Sequence, residues 1–351
     1  MSFIAKPVAR HPSLKPNKLG LTVRDYEGAM STLCAGCGHD SITAAITRAF
    51  YELDVAPHMV AKLSGIGCSS KTPTYFLSGA HGFNSAHGRM PAILTGASAA
   101  NRGLVYIGVS GDGDSLSIGL GHMSHAIRRN VDTLYVLENN GVYGLTKGQF
   151  SASADPGSKS KRGEANTQQA IDPVILALSL GATFVARSFS GDKAQLVPIL
   201  KAGLSHRGFA LVDVISPCVT FNDHEGSTKS YRYTRQHQTP IVAVDFVPPA
   251  AEITTDYAAG TAVEVTMHDG SVVRFTKIPD GYDPRDRDAV AAYLGRHQRE
   301  GAIPTGLLFL DPDGTEMHAA NRTVAAPLTS VPYEQLCPGS AALDALQKSY
   351  R

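Results

Sequence analysis

The chain has 351 residues and nearly balanced charge, with 32 Lys and Arg against 31 Asp and Glu and a formal net charge of +1. This balance excludes the strong positive field of proteins that bind nucleic acids or anionic membranes, so we expect neither partner. A hydrophobic content of 43% with 18% charged residues excludes a disordered chain. The length predicts one large domain with an appendage, or two domains.

The amino end is polar and punctuated by proline, so residues 1–29 are interpreted as an N-terminal arm. It has no apolar segment typical of a secretory signal, and no run in the chain approaches the roughly 18 apolar residues that span a bilayer. We therefore expect a cytoplasmic protein. Its five cysteines are too few and too dispersed for a secreted disulfide scaffold.

Residues 30–220 alternate between helix and strand patterns. A first helix is predicted from Asp40-Ser41, because Ile42, Ala45, Ile46 and Ala49 repeat with helical spacing. Strands are predicted at 104–109, 133–137, 183–187 and 209–215, and further helices at 116–128, 171–180 and 193–202. Strands separated by helices of this length indicate right-handed βαβ crossovers, and therefore an α/β fold with a parallel sheet flanked by helices.

Two regions interrupt this pattern. Residues 150–168 contain few large apolar side chains and are interpreted as a mobile surface loop. After about residue 240 the composition changes, with strands predicted at 261–267 and 271–278 around a turn at His268-Asp269-Gly270, then a helix at 288–298. We expect residues 241–351 to be a small α+β C-terminal extension without chemistry of its own.

The most informative motif is Gly111-Asp112-Gly113-Asp114, followed by Asn139-Asn140-Gly141 after the next strand. Both motifs would lie at the carboxyl edge of a parallel sheet, where ligands bind and glycines let the backbone approach phosphates. Asp112, Asn140 and the carbonyl of Val142 are oxygen donors suited to Mg²⁺. Either motif alone is usually a tight turn. Together they are similar to the thiamine diphosphate fingerprint, whereas the G-x-G-x-x-G of a dinucleotide site is absent.

The cysteines form a second motif. Cys34 and Cys37 make a C-x-x-C, while Cys68 and Cys218 each stand in a glycine- or proline-containing loop. Four thiolates suit a tetrahedral Zn²⁺ or a [4Fe–4S] cluster, and spacing does not choose between them. A redox dithiol for the pair and simple burial for the two single cysteines are the alternatives. Cys337 is interpreted as a residue without a special role.

Taken together, these motifs resemble the β subunit of a 2-oxoacid:ferredoxin oxidoreductase. The resemblance covers about residues 30–225, through Cys-x-Gly-Cys-Gly-His, Gly-Ile-Gly-Cys-Ser-Ser-Lys, His-Gly-Arg, Gly-Asp-Gly-Asp and Ser-Pro-Cys. It implies a thiamine-diphosphate-binding domain at 30–240 that carries thiamine diphosphate, Mg²⁺ and one [4Fe–4S] cluster. The implied cluster ligands are Cys34, Cys37, Cys68 and Cys218, and the implied Mg²⁺ ligands are Asp112, Asn140 and Val142. The implied thiamine diphosphate contacts are Ile66, Gly67, Cys68, Ser69, Gly113, Asp114, Gly144 and Leu145.

Two further residues are candidates for catalysis. His87, in His-Gly-Arg, would donate to a phosphate or to a substrate carbonyl, although a structural histidine at a turn fits as well. Lys71, after the Cys68 loop, would pair with a substrate carboxylate, and its alternative is a solvated surface lysine.

The resemblance also implies a reaction and partners. An α subunit would contribute the glutamate that activates the cofactor's pyrimidine ring, and the pair would convert a 2-oxoacid and CoA to acyl-CoA and CO₂ while reducing ferredoxin. Lys71 and the length of the chain favour 2-oxoglutarate, with pyruvate as the second choice. A non-redox thiamine diphosphate lyase and a zinc-stapled binding protein are the competing hypotheses.

Overall fold

The computed structural model describes residues 13–160, 163–241, 258, 261–266, 272–276, 282–337 and 339–350. The strands are β1 (Val60–Ser64), β2 (His81–Asn84), β3 (Val105–Gly111), β4 (Thr133–Asn139), β5 (Val142–Tyr143), β6 (Gln149–Phe150), β7 (Phe184–Phe189), β8 (Phe209–Ile215), β9 (Gln238–Pro240), β10 (Ala262–Thr266), β11 (Val272–Thr276) and β12 (Ile303–Leu310). The helices are α1 (Gly38–Glu52), α2 (Met90–Ala100), α3 (Leu120–Arg128), α4 (Pro173–Ser179), α5 (Lys193–Ser205), α6 (Tyr231–His237), α7 (Arg287–Arg299), α8 (Met317–Asn321), α9 (Tyr333–Leu336) and α10 (Ser340–Lys348).

One large sheet organises the described residues, with strand order β2-β1-β3-β4-β8-β7-β12-β9. The first six strands in this order, β2, β1, β3, β4, β8 and β7, pair with one another in parallel. β12 pairs antiparallel with β7, and β9 pairs parallel with β12. The pairs β5–β6 and β10–β11 stand outside this sheet as antiparallel ribbons.

Helices cover both faces of the sheet because its strand side chains are apolar on both sides. Leu134 and Val136 of β4 belong to one buried cluster with α1 and α5. Tyr135 and Leu137 of the same strand belong to the opposite cluster, with α2, α3, α4 and α7. This alternation along one strand is the period-two pattern of a sheet buried on both faces. Within the described ranges, no helix is long and apolar enough to cross a bilayer.

The predicted elements of the α/β region are present with shifted ends. α1 begins at Gly38 rather than after Asp40, and its N-cap position is Cys37, which makes no side-chain capping bond. The helix predicted at 116–128 is α3 preceded by a π-helical turn at Gly113–Ile118. β1, β2 and α2 had no counterpart in the prediction.

The structure corrects the prediction for residues 150–168. They were interpreted as a mobile surface loop, but Ser151, Ser153 and Ala154 are buried, and both serine hydroxyls bind Asp112 at the end of β3. The C-terminal segment also contributes more than an appendage, since β12 lies inside the main sheet. The division at residue 240 stays a prediction, and the turn predicted at His268-Asp269-Gly270 lies outside the described residues.

Candidate active site

The candidate site is built from loops that follow five adjacent strands. In the order β2-β1-β3-β4-β8, the segments beyond the carboxyl ends carry, in turn, His87, Cys68, Asp112, Asn140 and Cys218. Parallel strands end at the same edge of a sheet, so these residues converge although up to 150 residues separate them in the chain. The sheet topology therefore brings together residues that are far apart in the sequence.

One cavity of about 70 Å³ lies at this edge. It brings together His87 and every residue predicted to contact Mg²⁺ or thiamine diphosphate. The full lining is Ile66, Gly67, Cys68, Ser69, His87, Gly111, Asp112, Gly113, Asp114, Asn140, Val142, Tyr143, Gly144, Leu145 and Thr146. The ligand roles of these residues stay predictions, because the cavity shows their placement and not their chemistry.

Asp112 is a buried carboxylate held by several donors. Its Oδ2 accepts the hydroxyls of Ser151 and Ser153 and the Gly141 N–H, the last two at 2.7 and 2.9 Å. Burial raises the pKa of Asp112, and the two serine hydroxyls and the Asn140 N–H oppose that rise. The carboxylate is therefore preorganised at the place where a divalent cation would be expected. The sequence did not identify the two serines, because nothing in their pattern indicates a distant hydrogen bond.

Asp114 has a different position from Asp112. Its Oδ1 contacts His87 Nδ1 at 2.5 Å and accepts the Gly88 N–H at 2.7 Å, while Oδ2 accepts the Ser110 hydroxyl at 2.6 Å. A Cβ on Gly65 would overlap that second oxygen. Asp114 thus ties the loops after β1, β2 and β3 together and orients the His87 ring, in addition to lining the cavity.

The four predicted cluster cysteines lie near one another at the same edge. A Cβ on Gly144 would stand 3.4 Å from the Cys68 sulfur and 3.7 Å from that of Cys218. Burial is the main cause that raises the pKa of Cys68 and Cys218, with a smaller contribution from charge on Cys34, and it raises the pKa of Cys37 to about 12. A cationic centre would favour the thiolate forms of Cys37, Cys68 and Cys218, which burial disfavours.

The arrangement is looser than a single-ion site. Among the described residues, no group of three or more His, Cys, Asp or Glu side chains is assembled to hold a metal ion. A tetrahedral zinc would need its sulfurs about 2.3 Å from a common point. Backbone N–H groups of Thr220, Phe221 and Asn222 lower the pKa of Cys218 against the effect of burial, and they would stabilise its thiolate as a ligand.

Lys71 and Cys337 are not among the residues that line the cavity. Lys71 is half-buried and lowers the pKa of Cys68, but it does not line the cavity, so its contact with a substrate stays a prediction. Cys337 is exposed between α9 and α10.

A buried histidine also lies behind the cysteines. Burial lowers the pKa of His39 to about 4 and raises that of Glu138 well above its usual value. The two side chains lie 3.3 Å apart, and burial disfavours the charged form of each.

Comparisons with known proteins agree with this geometry. Residues 65–214 match the family model for the C-terminal TPP binding domain of thiamine pyrophosphate enzymes. The β subunit of the 2-oxoacid:ferredoxin oxidoreductase of a Sulfolobus species is 46% identical over 191 residues, which are 54% of this chain and 63% of that protein. The 2-oxoglutarate synthase subunit KorB of Methanocaldococcus jannaschii is 35% identical over 54% of this chain and 69% of its own length. The chain belongs to the family of 2-oxoacid:ferredoxin oxidoreductase β subunits.

A solved structure extends the likeness to almost the whole chain. It is a 2-oxoglutarate:ferredoxin oxidoreductase from Magnetococcus marinus with 2-oxoglutarate, coenzyme A and succinyl-CoA bound. The TM-score is 0.71 at 28% identity, over 93% of this chain and 97% of that one. These findings confirm the predicted family and the α/β thiamine-diphosphate-binding fold. The sequence match spans less than two thirds of the Sulfolobus relative, so activity, substrate and partners are considered separately below.

Proposed function

We propose that this β subunit binds the diphosphate end of thiamine diphosphate through Mg²⁺, carries one [4Fe–4S] cluster, and serves in the oxidative decarboxylation of a 2-oxoacid. The observation that carries the proposal is that Cys68 lines the same cavity as Asp112 and Asn140. One loop would therefore belong to both the cofactor site and the cluster, which keeps the electron donor and acceptor close. The overall reaction is 2-oxoacid, CoA and oxidised ferredoxin to acyl-CoA, CO₂ and reduced ferredoxin.

The residues of this chain would hold and orient the cofactor. Asp112, Asn140 and the Val142 carbonyl would bind Mg²⁺, and the glycine-rich loops would face the diphosphate. His87 is engaged at Nδ1 by Asp114, which leaves Nε2 to exchange a proton with a group bound in the cavity. Thiamine diphosphate, when bound, supplies the electron sink for loss of CO₂.

A partner subunit is needed for two reasons. The cavity is well below the roughly 300–1,000 Å³ of a complete small-molecule site, so this chain would enclose only part of the cofactor. The only carboxylates among its described lining residues are Asp112 and Asp114, and both are engaged in holding loops. The activating glutamate would therefore come from an α subunit. Exposed Ile66, Ile118 and Leu145 near the cavity suit coverage by that partner.

2-Oxoglutarate is the proposed substrate. The M. jannaschii relative and the Mycobacterium tuberculosis subunit KorB, which is 43% identical over 54% of this chain, are both named for 2-oxoglutarate. The Magnetococcus structure contains 2-oxoglutarate and coenzyme A. Ferredoxin is proposed as the electron acceptor from the family alone.

The test is anaerobic co-purification with the α subunit. We expect about four irons per β chain and CoA-dependent ferredoxin reduction that is faster with 2-oxoglutarate than with pyruvate. Faster turnover of pyruvate would refute 2-oxoglutarate as the preferred substrate. Colourless protein with one zinc would refute the proposed iron–sulfur cluster. Asp112→Ala should lose thiamine diphosphate but keep its iron, whereas Cys218→Ser should lose iron. Cys337→Ser is the matched control and should retain both.

A further inference from the structure

His39 is a fully buried side chain whose ring is bound on both nitrogens. Nδ1 lies 2.7 Å from the Ser216 hydroxyl, and Nε2 lies 3.2 Å from the Ser69 hydroxyl. Its third neighbour, Glu138, is also completely buried and accepts the Thr72 hydroxyl at 3.1 Å. Nothing in the proposed reaction uses this imidazole, which is not among the residues that line the cavity.

His39 and its two serine partners each stand close to a predicted cluster cysteine in the sequence. His39 is two residues after Cys37, Ser69 directly follows Cys68, and Ser216 is two residues before Cys218. The three segments come from separate parts of the fold, namely the start of α1, the loop after β1 and the loop after β8. One imidazole therefore connects the three segments that carry the predicted cluster cysteines through a pair of hydroxyls.

The backbone at this junction is closely packed. The Gly38 N–H points to the Pro217 carbonyl at 3.5 Å, and a Cβ on Gly38 would stand only 2.5 Å from the Ser216 hydroxyl oxygen. On the other side, a Cβ on Gly111 would stand 2.9 Å from the Ser69 hydroxyl oxygen. The two serines therefore have little room to move, and the imidazole fixes the spacing between them.

We propose that His39 is a positioning residue that sets the relative placement of the Cys37, Cys68 and Cys218 loops, so that their sulfurs are arranged before an iron–sulfur cluster is inserted. This inference rests on the cluster of the proposed function. Ligands held by outer contacts bind more tightly and reorganise less when the charge of the bound group changes. Loss of His39 should therefore speed iron release and shift the reduction potential, beyond any loss of stability.

The test compares His39→Leu with His318→Leu in the co-purified complex. His318 is the matched control because it is buried and its two ring nitrogens bind the hydroxyls of Ser98 and Thr323 on a different part of the molecule. The measurements are iron and sulfide content, the rate of iron loss to a chelator, the reduction potential and the melting temperature. We expect iron loss about tenfold faster in His39→Leu and unchanged in His318→Leu. His39→Gln, which keeps a donor near the Nε2 position, should restore part of the difference.

The outcomes separate the inference from the proposed function. If the wild-type protein contains no iron, the proposed cluster and the positioning role of His39 are both refuted. Wild-type protein with about four irons, together with wild-type release rate and potential in His39→Leu, overturns the positioning role alone. Equal changes in the two leucine variants also overturn it, because they would show a general effect of stability. If His39→Leu does not fold, Ser216→Ala removes one of the two bonds, and wild-type release in that variant refutes the inference.

Discussion

Removal of the Ser153 hydroxyl should weaken magnesium-dependent binding of thiamine diphosphate. Its Oγ donates to Asp112 Oδ2 at 2.7 Å and lies 2.8 Å from Asn139 Oδ1, so it joins the two loops that would hold the metal. Ser153→Ala removes this donor without adding bulk. The carboxylate keeps the Ser151 hydroxyl and the Gly141 N–H but gains freedom to turn away from Asn140.

The size of the effect follows from the charge on the acceptor. A hydrogen bond to a charged group contributes about 1.5–3 kcal/mol, and tenfold in affinity corresponds to about 1.4 kcal/mol. Outer contacts of metal ligands typically change metal affinity by about 10–100-fold. We therefore expect Ser153→Ala to raise the magnesium concentration for half-maximal cofactor binding by about tenfold or more. Titration of the co-purified complex with Mg²⁺ at fixed thiamine diphosphate measures it.

Ser158→Ala is the matched control. Ser158 is buried in the same loop, but its hydroxyl donates to the Asp155 carbonyl at 2.5 Å rather than to Asp112. Its removal should leave the magnesium titration unchanged. A wild-type titration for Ser153→Ala, or an equal shift for both variants, would refute the reasoning, because the loop would then act through folding and not through the Asp112 carboxylate.

Three further predictions concern stability. Gly65→Ala should destabilise the protein by about 3 kcal/mol and weaken cofactor binding, because the added methyl overlaps Asp114. Gly96→Ala, in α2 with open space around its Cβ, should stabilise by about 0.5–1 kcal/mol, and urea unfolding distinguishes the two. Burial lowers the pKa of His206 to about 4, so the unfolded chain binds a proton that the folded chain excludes, and stability should fall as the pH drops from about 6.5 to 4. His206→Gln should reduce that loss of stability by about 2 kcal/mol. His125→Gln, which changes an exposed histidine, is the control. The same loss of stability at low pH in both variants would contradict the role of His206.

The meeting of Asp112 and Asn140 at one edge of the sheet was predictable because local chemistry and topology agree there. Asp112 and Asn140 each follow an apolar strand, and the sequence alone implied that those strands are parallel neighbours. Their shared edge required no knowledge of side-chain contacts. The Ser151 and Ser153 hydroxyls were not predictable, since their partner lies about 40 residues away and serine-rich segments are usually exposed.

The strands that the prediction missed show a different limit. β12 has an apolar pattern, but its place beside β7 depends on an antiparallel pairing across more than 100 residues, which no local period encodes. β1 is short and buried on both faces, so its residues show no alternation to separate strand from helix. Yet β1 lies between β2 and β3, and without it the loop of Cys68 has no fixed position. The site thus depends on a strand with little sequence signal, while the residues of the site carry most of the signal. That is the pattern expected where chemistry constrains the loops and only burial constrains the strands that position them.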